Sequence, residues 1–112
     1  MTLTNAPILE SENLILRGPE KEDAEEVISF LLDENRSRGF GSSPDRSDAW
    51  RWFSTNVGHW HWHGYGYFMI ETKLGEVAGM SGIWNPEGWP EPEVGWAVFD
   101  KFEGKSIAYE AA

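Results

Sequence analysis

The chain has 112 residues and a mass of 12.7 kDa, with 40% apolar and 25% charged residues. This globular composition is long enough to bury a core without covalent staples, and it excludes disorder along the whole chain. The absence of cysteine excludes disulfide scaffolds, thiolate metal sites and thiol nucleophiles. Nine Lys and Arg against nineteen Asp and Glu give a formal net charge of −10. Such a field disfavours nucleic acid and favours cationic partners such as amines or basic peptides. No apolar run reaches membrane-spanning length, mean hydropathy is −0.49, and residues 1–11 carry neither a basic region nor an apolar signal segment. The expectation is a soluble, cytoplasmic protein with no membrane partner. Seven Trp, six Phe and three Tyr imply a large aromatic core or a binding surface.

There is no internal repeat or low-complexity tract. Residues 13–17 read as a short strand ended by Gly18-Pro19. Residues 20–35 read as a helix: Ala24, Val27, Ile28, Leu31 and Leu32 form one apolar stripe, and Glu20, Glu22 and Asp23 complement the dipole of its first turn. Gly39, Gly41, Ser42, Ser43 and Pro44 mark a loop. Arg36, Arg38 and that loop belong either to a substrate mouth or to ordinary solvent-facing chain. A second helix is predicted over 45–61, with Asp45 as N-cap, Asp48 three residues on, and Trp50, Phe53, Val57 and Trp60 on one face. Strands follow at 67–73, 76–84 and 93–99; the last alternates Val94, Trp96 and Val98 against Glu93, Gly95 and Ala97. Short connections between them imply an antiparallel meander. Residues 100–104 read as a loop and 106–112 as the first turns of a helix. The order is β-α-α-β-β-β with a helix start. The fold class is α+β, one domain over 1–112, with helices packed on a mostly antiparallel sheet.

The chemical signal is strongest in the strand–loop–helix of residues 93–112. A glycine loop entering a helix exposes unpaired amides at the positive end of the helix dipole, where phosphate binds. Lys101 and Lys105 add positive charge beside it. A glycine before a helix is also commonly no more than a turn.

This segment resembles the acetyl-CoA-binding motif of the N-acetyltransferase superfamily known as GNAT, in particular the branch with the ribosomal-protein-alanine acetyltransferases. Asn13-Leu-Ile-Leu-Arg17, Glu22-Asp23-Ala24, Ala49-Trp50, Gly82-Ile83-Trp84-Asn85 and Pro92-Glu93-Val94-Gly95-Trp96 match that branch in order, from about Glu12 to Ala112. The resemblance implies an N-acetyltransferase that moves acetyl from acetyl-CoA to a primary amine, a peptide N-terminus or small amine, in a ternary complex without a metal. Gly104, Lys105, Ser106, Ile107 and Ala108 would cradle the diphosphate. Backbone groups around Ala97, Val98 and Phe99 would hold the pantetheine arm and polarise the thioester carbonyl. Glu93 would take the proton of the amine; its other reading is an ion-paired or N–H-bonded glutamate.

Two positions depart from the family pattern. Glu103 places a carboxylate near the diphosphate, and Ser106 adds a Cβ where backbone and phosphate meet. The chain also stops just inside the family's third helix. The expectation is a truncated product, or a homodimer that completes its sheet by strand exchange. The alternative function is therefore a catalytically incompetent member acting as a partner-binding or domain-exchanged module. A Trp-rich β module for sugars or aromatic ligands is a remote third reading. His59 and His63 have the i, i+4 spacing of a zinc pair but no obvious third ligand, so no metal is expected. Their rings either line the acceptor side or cap and pack. Trp84, Trp89 and Trp96 offer a stacking platform, against core packing for Trp84 and Trp96.

Overall fold

The computed structural model describes residues 3–99. Its elements are β1 (Leu9–Glu10), β2 (Leu14–Arg17), a 3₁₀ turn (Lys21–Asp23), α1 (Ala24–Leu32), α2 (Glu34–Ser37), α3 (Arg46–His63), β3 (Tyr67–Thr72), β4 (Val77–Trp84) and β5 (Glu93–Val98). The strands form one antiparallel sheet in the order β1-β2-β3-β4-β5. The architecture is α+β. The loop and helix start expected over 100–112 lie outside the described residues.

The helix expected over 20–35 is interrupted. It starts as a 3₁₀ turn, and α1 ends at Leu32 because Asp33 adopts an extended conformation and caps α2, its side chain accepting from the amides of Asn35 and Arg36. This shifts the buried stripe: Phe30 is buried and Leu32 is exposed. α3 starts after Asp45, whose carboxylate accepts from the Asp48 amide at 2.9 Å. It runs to His63, two residues past the expected end, and closes on Gly64 at φ 80°, a left-handed cap that glycine adopts without strain. Ala49 and Asn56, rather than Trp50, join Phe53 and Trp60 on its buried side.

Register sets the two faces of the sheet. Met69, Met80 and Ala97 lie opposite one another across β3, β4 and β5, and so do Tyr67, Gly82 and Gly95. The helices cover this face through rings. Phe30 meets Phe99, Phe40 meets Tyr67, and Trp52 stacks on Trp84 with centroids 5.1 Å apart.

Two polar clamps hold the frame. Arg17 forms a bidentate pair with Asp23 at 2.8 and 3.0 Å and bonds Glu71 at 2.8 Å. These carboxylates hold the guanidinium charged and raise its pKa above the ordinary value. They also join the end of β2 to the start of α1 and to β3. Further along β3, β2 has turned away at Gly18-Pro19 and Tyr67 has no strand beside it there. Asn56 fills the gap: its amide donates to the Tyr67 carbonyl at 3.1 Å and accepts from the Tyr67 N–H at 2.9 Å. A side-chain amide carries the same donor and acceptor as a peptide, so it substitutes for the missing strand residue. Trp60 Nε1 adds a third bond to the same carbonyl at 2.9 Å.

Asn56 is 1% exposed. Asn56→Ala is expected to lower unfolding free energy by about 2–4 kcal/mol, because both Tyr67 backbone groups lose a buried partner. Urea denaturation followed by circular dichroism measures this.

Candidate active site

A cleft of about 560 Å³ runs along the helix-covered face of β5. Glu93, Gly95 and Ala97 line it from the strand, Tyr67 from β3, and Arg36 and Phe40 from the segment after α1. Of the two readings of the Arg36 loop, the structure places Arg36 at this cleft.

β5 is the edge of the sheet among the described residues. The Phe99 amide donates to Ala78 at 2.8 Å, which fixes the alternation of the strand. Ala97, opposite Met80, and Phe99 turn their backbone groups inward to β4. Val98, Trp96 and Val94 turn theirs outward along the free edge. Of the three residues expected to meet an extended ligand through their backbone, Val98 thus presents its groups to the edge, joined by Trp96. Glu93 sits at the start of the same strand, exposed, opposite Trp84. The expected phosphate cradle, Gly104, Lys105, Ser106, Ile107 and Ala108, lies outside the described residues.

The linear sequence gives Tyr67 no role beyond opening a strand. Only the register places it across two glycines. A Cβ built on Gly95 would stand 2.1 Å from the Tyr67 hydroxyl. Burial, with the Glu93 charge adding to it, pushes the phenol pKa up to about 12. The hydroxyl therefore stays protonated at neutral pH.

The histidine cluster is placed apart from this cleft. His59 is buried against Trp84, ring planes within 10° at 4.7 Å. Its Nδ1 meets the Tyr65 carbonyl at 2.7 Å, and its Nε2 meets the Asn85 amide at 2.9 Å. A carbonyl only accepts and an amide only donates, so the ring is neutral with its proton on Nδ1. Both nitrogens are committed, so the His59–His63 pair does not form a zinc site. No group of three or more candidate ligands occurs among the described residues. Instead His59 pins the end of α3 to the β4–β5 connection. With His63, Trp62 and Trp89 it lines a separate hollow of about 640 Å³, so these rings do not line the Glu93 cleft. The Trp84, Trp89 and Trp96 platform does not assemble either. Trp84 is buried on the helix-covered face, whereas Trp96 lies on the opposite face.

The acetyltransferase (GNAT) domain model matches residues 13–112. The chain belongs to the GNAT acetyltransferase family. An acetyltransferase from Agrobacterium tumefaciens str. C58 is similar to it with 34% identity and a TM-score of 0.88, over 95% of this chain and 62% of that one. A ribosomal-protein-serine acetyltransferase structure from Vibrio cholerae shares the fold at 15% identity and TM-score 0.71, over 96% of this chain and 63% of that one. So does the microcin C7 self-immunity acetyltransferase in complex with acetyl-CoA and AMP, at 20% identity and TM-score 0.66, over 98% of this chain and 64% of that one. This chain thus spans less than two thirds of the length of these relatives. No curated protein sequence matches it. No helix among the described residues is long and apolar enough to cross a membrane.

Burial, with His63 adding to it, lowers the His59 pKa below the ordinary 6.5, against the opposing bond to Tyr65. Its stabilising contribution is therefore complete above about pH 6.5 and is lost as pH falls through the folded-state value. His59→Gln is expected to lower stability by about 1–3 kcal/mol at pH 7.5. The gap to wild type should narrow at pH 5, as read from urea midpoints.

Proposed function

We propose that this GNAT domain transfers the acetyl group of acetyl-CoA to a primary amine, a peptide N-terminus or a small amine. The observation that carries the reading is one strand serving two chemistries. The β5 edge offers outward backbone groups at Val98 and Trp96, and its first residue, Glu93, puts a carboxylate into the adjoining cleft. An extended pantetheine arm docks on the outward backbone groups of Trp96 and Val98 like an added strand. Gly104, Lys105, Ser106, Ile107 and Ala108 cradle the diphosphate. The thioester supplies the acetyl group. Glu93 takes the proton of the amine as the nitrogen forms the C–N bond; the C–S bond breaks and the thiolate leaves with the coenzyme. Backbone amides of β5 stabilise the charge on the carbonyl oxygen. A net charge of −10 favours a cationic acceptor. A protein acceptor draws support from the name of the Vibrio cholerae fold relative, a ribosomal-protein-serine acetyltransferase, and a peptide N-terminus from that of a ribosomal L7/L12 alpha-N-protein acetyltransferase that shares the fold. The complex with acetyl-CoA among the fold relatives supports the donor. The site of action is proposed to be the cytoplasm.

A second reading has its own observation. Ile83, Val94 and Trp96 are 41%, 64% and 53% exposed and share one face at the open edge of the sheet. Such a patch suits a partner-binding module or a homodimer with exchanged strands. Under that reading the chain sediments as a dimer and Trp96→Lys returns it to monomer; a monomer at every concentration removes it.

The enzyme reading is tested by acetyl transfer from acetyl-CoA to a peptide with a free N-terminal alanine. Glu93→Gln is expected to lower kcat by about 10²–10⁴ with the KM for acetyl-CoA little changed. Transfer that is absent in wild type, or indifferent to Glu93, overturns it.

A further inference from the structure

The cleft contains a polar group that neither the fold nor the roles given above account for. Tyr67 is 4% exposed, and among the described residues its hydroxyl makes no hydrogen bond, although its backbone is held at both the N–H and the carbonyl. No sealed-off side-chain nitrogen or oxygen among the described residues lacks a partner. The Tyr67 hydroxyl is therefore not sealed off; it lies over Gly95, and both residues line the Glu93 cleft. The ring is fixed on three sides by Phe40, Trp52 and Trp84, at centroid distances of 5.3, 5.6 and 5.4 Å.

The sheet is shaped to let it reach that point. Tyr67, Gly82 and Gly95 form one row across β3, β4 and β5, and both positions ahead of the tyrosine lack a side chain. The hydroxyl arrives over Gly95, two residues along the strand from Glu93 and on the same face. Two residues of strand span roughly 7 Å. That separation leaves room for one small group between phenol and carboxylate. A hydroxyl that reaches the cleft with no partner among the described residues keeps both its donor and its acceptor available to a ligand bound there.

We propose that the Tyr67 hydroxyl is a contact for the acceptor, its oxygen accepting a hydrogen bond from an N–H of the amine and holding the nitrogen beside Glu93. The inference rests on the amine-acetylating reading of the cleft. Tyr67 exchanges no proton in this role. It orients the nitrogen, and the carboxylate does the acid–base work. Its raised pKa agrees with that division, since the phenol stays protonated around neutral pH.

The test is calorimetric titration of the full chain with alanine amide, a primary amine without a carboxylate. Tyr67→Phe keeps the ring and its packing, and is expected to weaken binding about tenfold. Gly95→Ala crowds the hydroxyl and should weaken binding by a similar factor in wild type. In the Tyr67→Phe background it should add less than twofold, since the next ring atom lies 3.2 Å from the new Cβ rather than 2.1 Å. Equal affinity of Tyr67→Phe and wild type, equal effects of Gly95→Ala in both backgrounds, or no binding of alanine amide by wild type overturns the proposal. Should Tyr67→Phe fail to fold, Gly95→Ala in the wild-type background decides: an unchanged affinity for alanine amide overturns the proposal. Loss of amine binding in Tyr67→Phe without acetyl transfer by wild type would retain the contact and remove only the enzyme reading.

Discussion

The cleft hangs from the grip of Asn56 on the backbone of Tyr67. A strand end open on one side is ordinarily the most frayed part of a sheet. Here a helix side chain imitates the absent strand and satisfies both peptide groups, while Trp60 adds a third bond. α3 is thereby tied to the sheet by polar bonds of defined length and not by apolar contact alone. The tyrosine they anchor is the residue whose ring crosses the sheet toward Gly95. A rotation of α3 would move the phenol directly, so a helix outside the sheet sets the geometry over Gly95.

Around that anchor the aromatic load is used as a wall. Rings follow one another from Phe99 through Phe30, Phe40, Trp52 and Trp84 to His59. Large flat groups in tilted and stacked contact have few alternative packings, which gives the cleft a rigid back. His59 closes the series as a neutral ring, with one nitrogen on each of two segments. It behaves as a polar bolt between α3 and the β4–β5 connection rather than as a reagent.

Much of the frame was legible in the residues because local chemistry decides it. Asp45 and Asp48 mark the start of α3, and the alternation at 93–98 marks a strand. Arg17 and Asp23, noted only as parts of separate motifs, prove to be one ion pair. The errors have local causes. Asp33 was absorbed into an apolar period, although a carboxylate followed by two free amides makes a cap that outcompetes the helix. The two residues of β1 are too short to show any period. Spacing puts Trp50 on one face with Phe53, Val57 and Trp60, yet Ala49 and Asn56 take the buried side and Trp50 is exposed. The candidate site was legible only in part. Glu93 stands on the strand where the motif put it, but Tyr67 could not be seen, since nothing in the linear order says that it faces Gly82 and Gly95. His59 has a spacing to His63 fit for zinc, but both its nitrogens are committed to main chain, in keeping with the capping and packing reading of the sequence.

The alternation along β5 has a consequence for what can lie against it. Outward amide and carbonyl groups recur only at every second residue, a pitch of roughly 7 Å. A linear guest on this rail is thus gauged by the interval between its own polar groups, much as a key is gauged by the distance between cuts. Side groups of such a guest would alternate between the cleft on the helix-covered side and the exposed face of Val94 and Trp96, so one half of them would meet a shaped wall and the other half a flat apolar patch.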